Sequence, residues 1–149
     1  MPVKRDLTDD VFSKLVRERV NYNCECCGKN FRTGGLDCSH IVPRRHVATK
    51  WHPTCSVAHC RSCHRVFTDK PITFTRWSDA YFGSALVDEM ALVANTPVKW
   101  PKYLRLEIRE HYREQLKSME ALRAKGVVSV IDFEPHEVMH VFSGGRPAN

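Results

Sequence analysis

No stretch of this chain has the ~18–20 consecutive apolar residues that a membrane-spanning helix needs, and its opening residues, MPVKRDLTDD, hold no apolar signal core. Both absences predict a soluble protein, with no membrane partner, that stays in the reducing cytoplasm. Internal repeats and low-complexity segments are missing too, which excludes solenoids and arrays. Acidic residues are scarce where basic ones collect. Between Gly28 and Arg76 there are nine Lys or Arg against two Asp or Glu, while the remainder holds fourteen against fifteen. The whole excess behind the net charge of +6 therefore lies on one segment, as expected of a surface that attracts a polyanion. Seven cysteines is an odd number, and a reducing compartment disfavours disulfides, so metal ligation is the better account of them.

At 149 residues the chain is long enough for one domain with a moderate core. Thr8-Asp9-Asp10 is a helix-cap signal, and Val11, Leu15 and Val16 recur at helical spacing to about Val20. Gly34-Gly35 marks a turn, Leu36 to Val42 reads as a strand ended by Pro43, and a basic loop runs on to Thr54. A helix is expected from the second cysteine pair through His64 to Phe67. Phe74 to Ala94 looks helical, with Gly83 as a breaker, and Lys102 to Lys125 is the clearest helix. Its apolar stripe of Leu104, Ile108, Tyr112, Leu116 and Met119 predicts packing or a homodimer contact, with Gly126 as its C-cap. Val127 to Phe133 reads as a strand, and SGGRPAN as a frayed tail.

Two residues between cysteines let both thiolates reach one ion, and two such turns supply a closed tetrahedral zinc site. Cys24, Cys27, Cys60 and Cys63 have that spacing. Cys26 competes with Cys24, but only Cys24 stands two residues from Cys27, and Cys38 is expected to be a small core residue. The run Cys60-Arg-Ser-Cys63-His64 also fits the haem-attachment pattern, but that would require an exported chain and leave the first pair unexplained.

His40 ends the predicted strand just before a basic loop, and His64 directly follows the last cysteine. Neutral imidazole is a suitable proton acceptor at cellular pH. Both therefore read as functional. Arg44, Arg45, Lys50, Arg61 and Arg65 are the candidate phosphate contacts, with His46 and His59 behind them, and each phosphate neutralised makes binding more salt-sensitive. No base-reading helix is evident, so recognition by DNA shape or junction structure is expected.

The series CxxCG, then SHIVP, then CRSCHR resembles the HNH nucleases of the ββα-metal (His-Me finger) fold over roughly residues 23–68. Within that family, Asp37-Cys-Ser-His40 and the spacing from Trp51-His52 to Cys60 are similar to phage recombination nucleases of the lambda NinG (Rap) type. The resemblance implies an α+β protein with a zinc-stapled ββα-metal core, flanked by N- and C-terminal helices. The helical extension would cover about 72–126, with a short strand and tail over 127–149. It implies a metal-dependent DNA endonuclease, encoded by phage or prophage, acting on branched or single-stranded DNA. His40 would be the general base, and His64 would bind a catalytic Mg²⁺ or Mn²⁺ beside the structural Zn²⁺. The family commonly has Asp before the base where this chain has Ser39, so Asp37 is the candidate replacement ligand. Near the family's loop-ordering Asn this chain has Cys55, with His52 close by. These departures keep open a zinc-ribbon DNA-binding protein without catalysis. A partner-binding protein that works through the long C-terminal helix is a third reading.

Overall fold

Asp6 starts the first helix, two residues before the expected cap. Its carboxylate accepts hydrogen bonds from the Thr8 and Asp9 amides at 2.6 and 3.4 Å, and the Asp9 carboxylate accepts from the Asp6 amide at 2.7 Å. This reciprocal box satisfies amides that a first turn leaves unpaired. Helix α1 then runs over Leu7–Arg19. The computed structural model describes residues 5–147; among them are five helices and one two-stranded antiparallel sheet, an α+β arrangement. None of these helices is long and apolar enough to cross a membrane.

Strand β1, Leu36–His40, pairs with β2, Ser56–Cys60, in a register that sets Asp37 opposite His59 and His40 opposite Ser56. Helix α2, Arg61–Asp69, follows β2 without a linker, so the central order is strand, strand, helix. Gly83, at φ +86°, separates α3, Pro71–Phe82, from α4, Ser84–Ala94. Helix α5, Lys102–Ala124, lies against α1. Its Ile108, Tyr112, Leu116 and Met119 are buried with Phe12, Leu15 and Val16 in the main core. That stripe is internal packing, which settles the choice the sequence left open for those four residues.

The segment after α5 is not a strand. β1 and β2 pair with each other, and residues 127–133 run along the end of α1 instead. The Ile131 amide donates to the Arg19 carbonyl at 2.9 Å, and the Arg123 guanidinium takes the carbonyls of Val127 and Ser129. What the apolar pattern signalled was Phe133, whose ring lies 5.8 Å from both Phe12 and Tyr112. Phe133→Ala should cost ~3–5 kcal/mol of unfolding free energy, as for other buried aromatics. A urea midpoint unchanged from wild type, measured with zinc present, would show that this segment is not part of the core.

The described part of the tail is docked rather than frayed; Ala148 and Asn149 lie outside the described residues. The Phe142 ring packs edge-on against His52 at 4.7 Å and joins a second cluster with Cys55, Leu86 and Met90. Arg146 donates to the Ser56 carbonyl at 2.8 Å and pairs with the buried Glu25 carboxylate. Glu25 also accepts from the Ala58 amide and the Tyr81 hydroxyl, each at 2.7 Å. Burial opposes its ionisation, but the charges of Arg146 and Arg19 and these two hydrogen bonds outweigh it and hold the carboxyl below its usual range. The free edge of β2 is thereby covered by side chains rather than left open for pairing.

Candidate metal centre and neighbouring groove

The first cysteine pair sits on a tight turn closed by the Asn23–Asn30 bridge. The Cys24 amide donates to the Lys29 carbonyl and the Gly28 amide to the Cys24 carbonyl, both at 2.9 Å. Gly28 has φ +79°, the left-handed backbone that favours glycine. The second pair straddles a junction: Cys60 ends β2 and caps α2, and Cys63 lies in the first turn of α2. Four sulfurs result, from Cys24, Cys27, Cys60 and Cys63, all within 4.8 Å of one another. A tetrahedral zinc with bonds of ~2.3 Å needs sulfurs ~3.8 Å apart, and Cys27 and Cys60 are at 3.9 Å. Amides of Cys27, Cys60 and Cys63 point at the sulfurs of Cys24 and Cys60, at 3.3–3.5 Å. Such donors stabilise thiolates. The residues fit a structural zinc. Cys26 stands outside this group and is exposed, and Cys38 is only partly buried although it packs on the core.

Next along α2 from the cysteine cluster, at His64, a groove of about 760 Å³ runs between α1 and the sheet. Asp37, Ser39, His40 and His64 all line it. Asp37 Oδ2 and His64 Nδ1 are 3.3 Å apart, and both side chains are partly open to solvent. Ser39 is 3% exposed, so its hydroxyl is far less accessible than the Asp37 carboxylate. His40 Nε2 lies 3.0 Å from the Lys50 carbonyl, which accepts only if Nε2 carries the proton. Nδ1 is then the basic nitrogen. Burial, reinforced by Arg44, lowers the His40 pKa below the usual histidine value, and the Lys50 hydrogen bond only partly opposes this.

Of the five predicted phosphate contacts, Arg44 alone lines the groove, and it pairs with Asp9 at 3.7 Å. Lys50 lays its ammonium 4.2 Å from the centre of the Trp51 ring. Arg61 borders a second hollow near the zinc cysteines, and Arg45 and Arg65 are exposed elsewhere. His59 is not a phosphate contact. It is fully buried among Phe67, Phe74 and Trp77, and burial drives its pKa down to about 4. His46 reaches the Ala94 carbonyl at 3.2 Å, tying the basic loop to α4.

The two loop-ordering candidates divide. His52 Nδ1 accepts from the Thr54 amide at 3.1 Å, and its Nε2 meets the His140 carbonyl at 2.7 Å. It therefore organises the turn Pro53–Cys55 that leads into β2. Cys55 is a core residue whose thiol pKa is raised by burial, and it steadies the loop through its backbone: its carbonyl accepts from the Ile41 amide at 2.9 Å and its amide donates to the His52 carbonyl at 3.0 Å.

Sequence reasoning overlooked the α1 wall of the groove. Asp9, Ser13 and Arg17 recur every four residues on one face of α1, and Arg5 lines the groove from just before the helix. That polar spacing is present in the sequence, interleaved with the apolar positions Val11, Leu15 and Val16 that mark the helix. Comparison with models of known families, with curated proteins and with solved structures gives no match to this chain.

Proposed function

We propose that this groove hydrolyses DNA phosphodiester bonds with the help of one divalent cation. The observation that carries the reading is the meeting of Asp37 and His64 at 3.3 Å in the groove that also holds His40 and three arginines. A carboxylate and an imidazole, both partly exposed, fit a cation whose remaining positions go to water and substrate. Mg²⁺ or Mn²⁺ bound there would supply positive charge against the phosphoryl oxygens, and the imidazole favours Mn²⁺. His40 accepts a proton from the attacking water at Nδ1, while its Nε2–H goes on donating to the Lys50 carbonyl. The zinc cysteines fix the start of α2, and with it His64. The resemblance to phage recombination nucleases adds branched or single-stranded DNA as the substrate and a phage or prophage origin in a bacterial host as the setting.

A second reading, a zinc-ribbon DNA-binding protein without catalysis, rests on buried Ser39 and on Cys55 in the core. Of the candidate ligands in the groove, these leave Asp37 and His64, and no group of three or more His, Cys, Asp or Glu forms there among the described residues. The test is cleavage of supercoiled plasmid and of a synthetic four-way junction, comparing Mg²⁺, Mn²⁺ and brief EDTA treatment. Metal-dependent nicking, lost in Asp37→Ala and His64→Ala with zinc retained, is the expected result. Tight binding with no cleavage under either metal would establish the binder instead.

A further inference from the structure

Nucleic-acid phosphates carry their charge on non-bridging oxygens, and cleavage concentrates it there. Three guanidinium groups line the groove, from Arg5, Arg17 and Arg44. Two are already held by carboxylates: Arg5 Nε meets Asp10 at 2.6 Å, and Arg44 meets Asp9 at 3.7 Å. Arg17 differs. Its terminal nitrogen is held by the hydroxyl of Ser13, one turn earlier and 5% exposed, and no carboxylate of the described residues pairs with it. A hydroxyl fixes the guanidinium in place without neutralising its charge, and leaves other N–H donors for a ligand. The helix itself is anchored by Phe12, Leu15 and Val16 in the main core, so the group is presented from a rigid element.

We infer that Arg17, oriented by Ser13, is a phosphate-binding residue that holds a DNA phosphodiester against the Asp37–His64 side of the groove. A guanidinium suits this because its planar donors match two phosphoryl oxygens at once. The assignment rests on the nuclease reading for its catalytic consequence, but not for phosphate binding. It also moves the main anion contact from the basic loop to α1, which contributes nothing to the excess charge between Gly28 and Arg76.

The test uses the full-length, zinc-loaded protein and the variants Arg17→Ala, Arg17→Lys and, as a control of equal charge, Lys117→Ala on the exposed face of α5. Affinity for a short fluorescent oligonucleotide is measured without added divalent cation across a salt series, and cleavage with Mn²⁺ is measured separately. Arg17→Ala should bind ~10-fold more weakly, with the slope of log affinity against log salt smaller by about one. Arg17→Lys should recover part of the loss, and Lys117→Ala should stay close to wild type. In cleavage, Arg17→Ala should lower kcat as well as raise KM. Arg17→Ala indistinguishable from Lys117→Ala in affinity and salt slope would overturn the assignment. A wild type that cleaves nothing, with Arg17→Ala still weakened in binding, would retain the phosphate site and reject the nuclease.

Discussion

Cys60→Ser is expected to abolish zinc binding and, with it, the cooperative fold. Structural zinc contributes ~10–16 kcal/mol of apparent binding free energy at neutral pH, as much as or more than the ~5–15 kcal/mol that keeps a typical domain folded. Cys60 is the most consequential of the four ligands because it holds three roles at once. It ends β2, caps α2 through the Cys63 amide, and lies 3.9 Å from Cys27 across the site. Losing it leaves the first cysteine turn held to the sheet chiefly through Glu25 and Ala58, and frees the start of the helix that carries His64. Zinc measured by mass spectrometry should fall from one equivalent to a trace, and the thermal transition should broaden or vanish. Cys26→Ser is the matched control, since that thiol is exposed and outside the cluster. Retention of zinc and of the wild-type transition in Cys60→Ser would mean that the four cysteines are not a metal site.

The four-cysteine cluster was legible because its signal is local: two short spacings fix two turns, and together they supply four sulfurs. The helices were legible for the same reason; α1 begins two residues before the expected cap because Asp6, Thr8 and Asp9 are all good capping types, and α3 begins at Pro71 rather than Phe74 because proline suits a first helical turn. The parts that escaped are long-range. Val127 to Phe133 has the composition of a strand, but a strand exists only if another offers its edge, and composition carries no information about that. Arg146 in a glycine-containing tail looked solvated, yet its partner Glu25 lies far away in the chain and is buried. His59 looked like one more cation in a basic segment. Its position inside β2, with both faces of that strand covered, makes it part of an aromatic cluster instead. Charge counting likewise located the basic segment but not the groove, because which arginines face a ligand depends on packing between α1 and the sheet.

His40→Ala is expected to reduce cleavage by ~10²–10⁴-fold, the range of a general base, while DNA affinity changes far less. The pH dependence carries more information than the loss. In the proposed mechanism the base works only when Nδ1 is unprotonated, and burial lowers the pKa of His40. Its neutral form is therefore already dominant at neutral pH, and the acid limb of kcat/KM should lie below the ordinary histidine value of ~6.5. The ring also stacks near Phe12, at 6.3 Å, and anchors the Lys50 carbonyl, so truncation will cost some stability. His40→Gln separates the two effects: it restores bulk and a donor for Lys50 but supplies no base, so stability should return while cleavage does not. An acid limb at or above the ordinary value, or cleavage recovered in His40→Gln, would place the proton acceptor elsewhere. Either result would require the proposed nuclease groove of Asp37, His64 and the arginine-lined wall to use a different base.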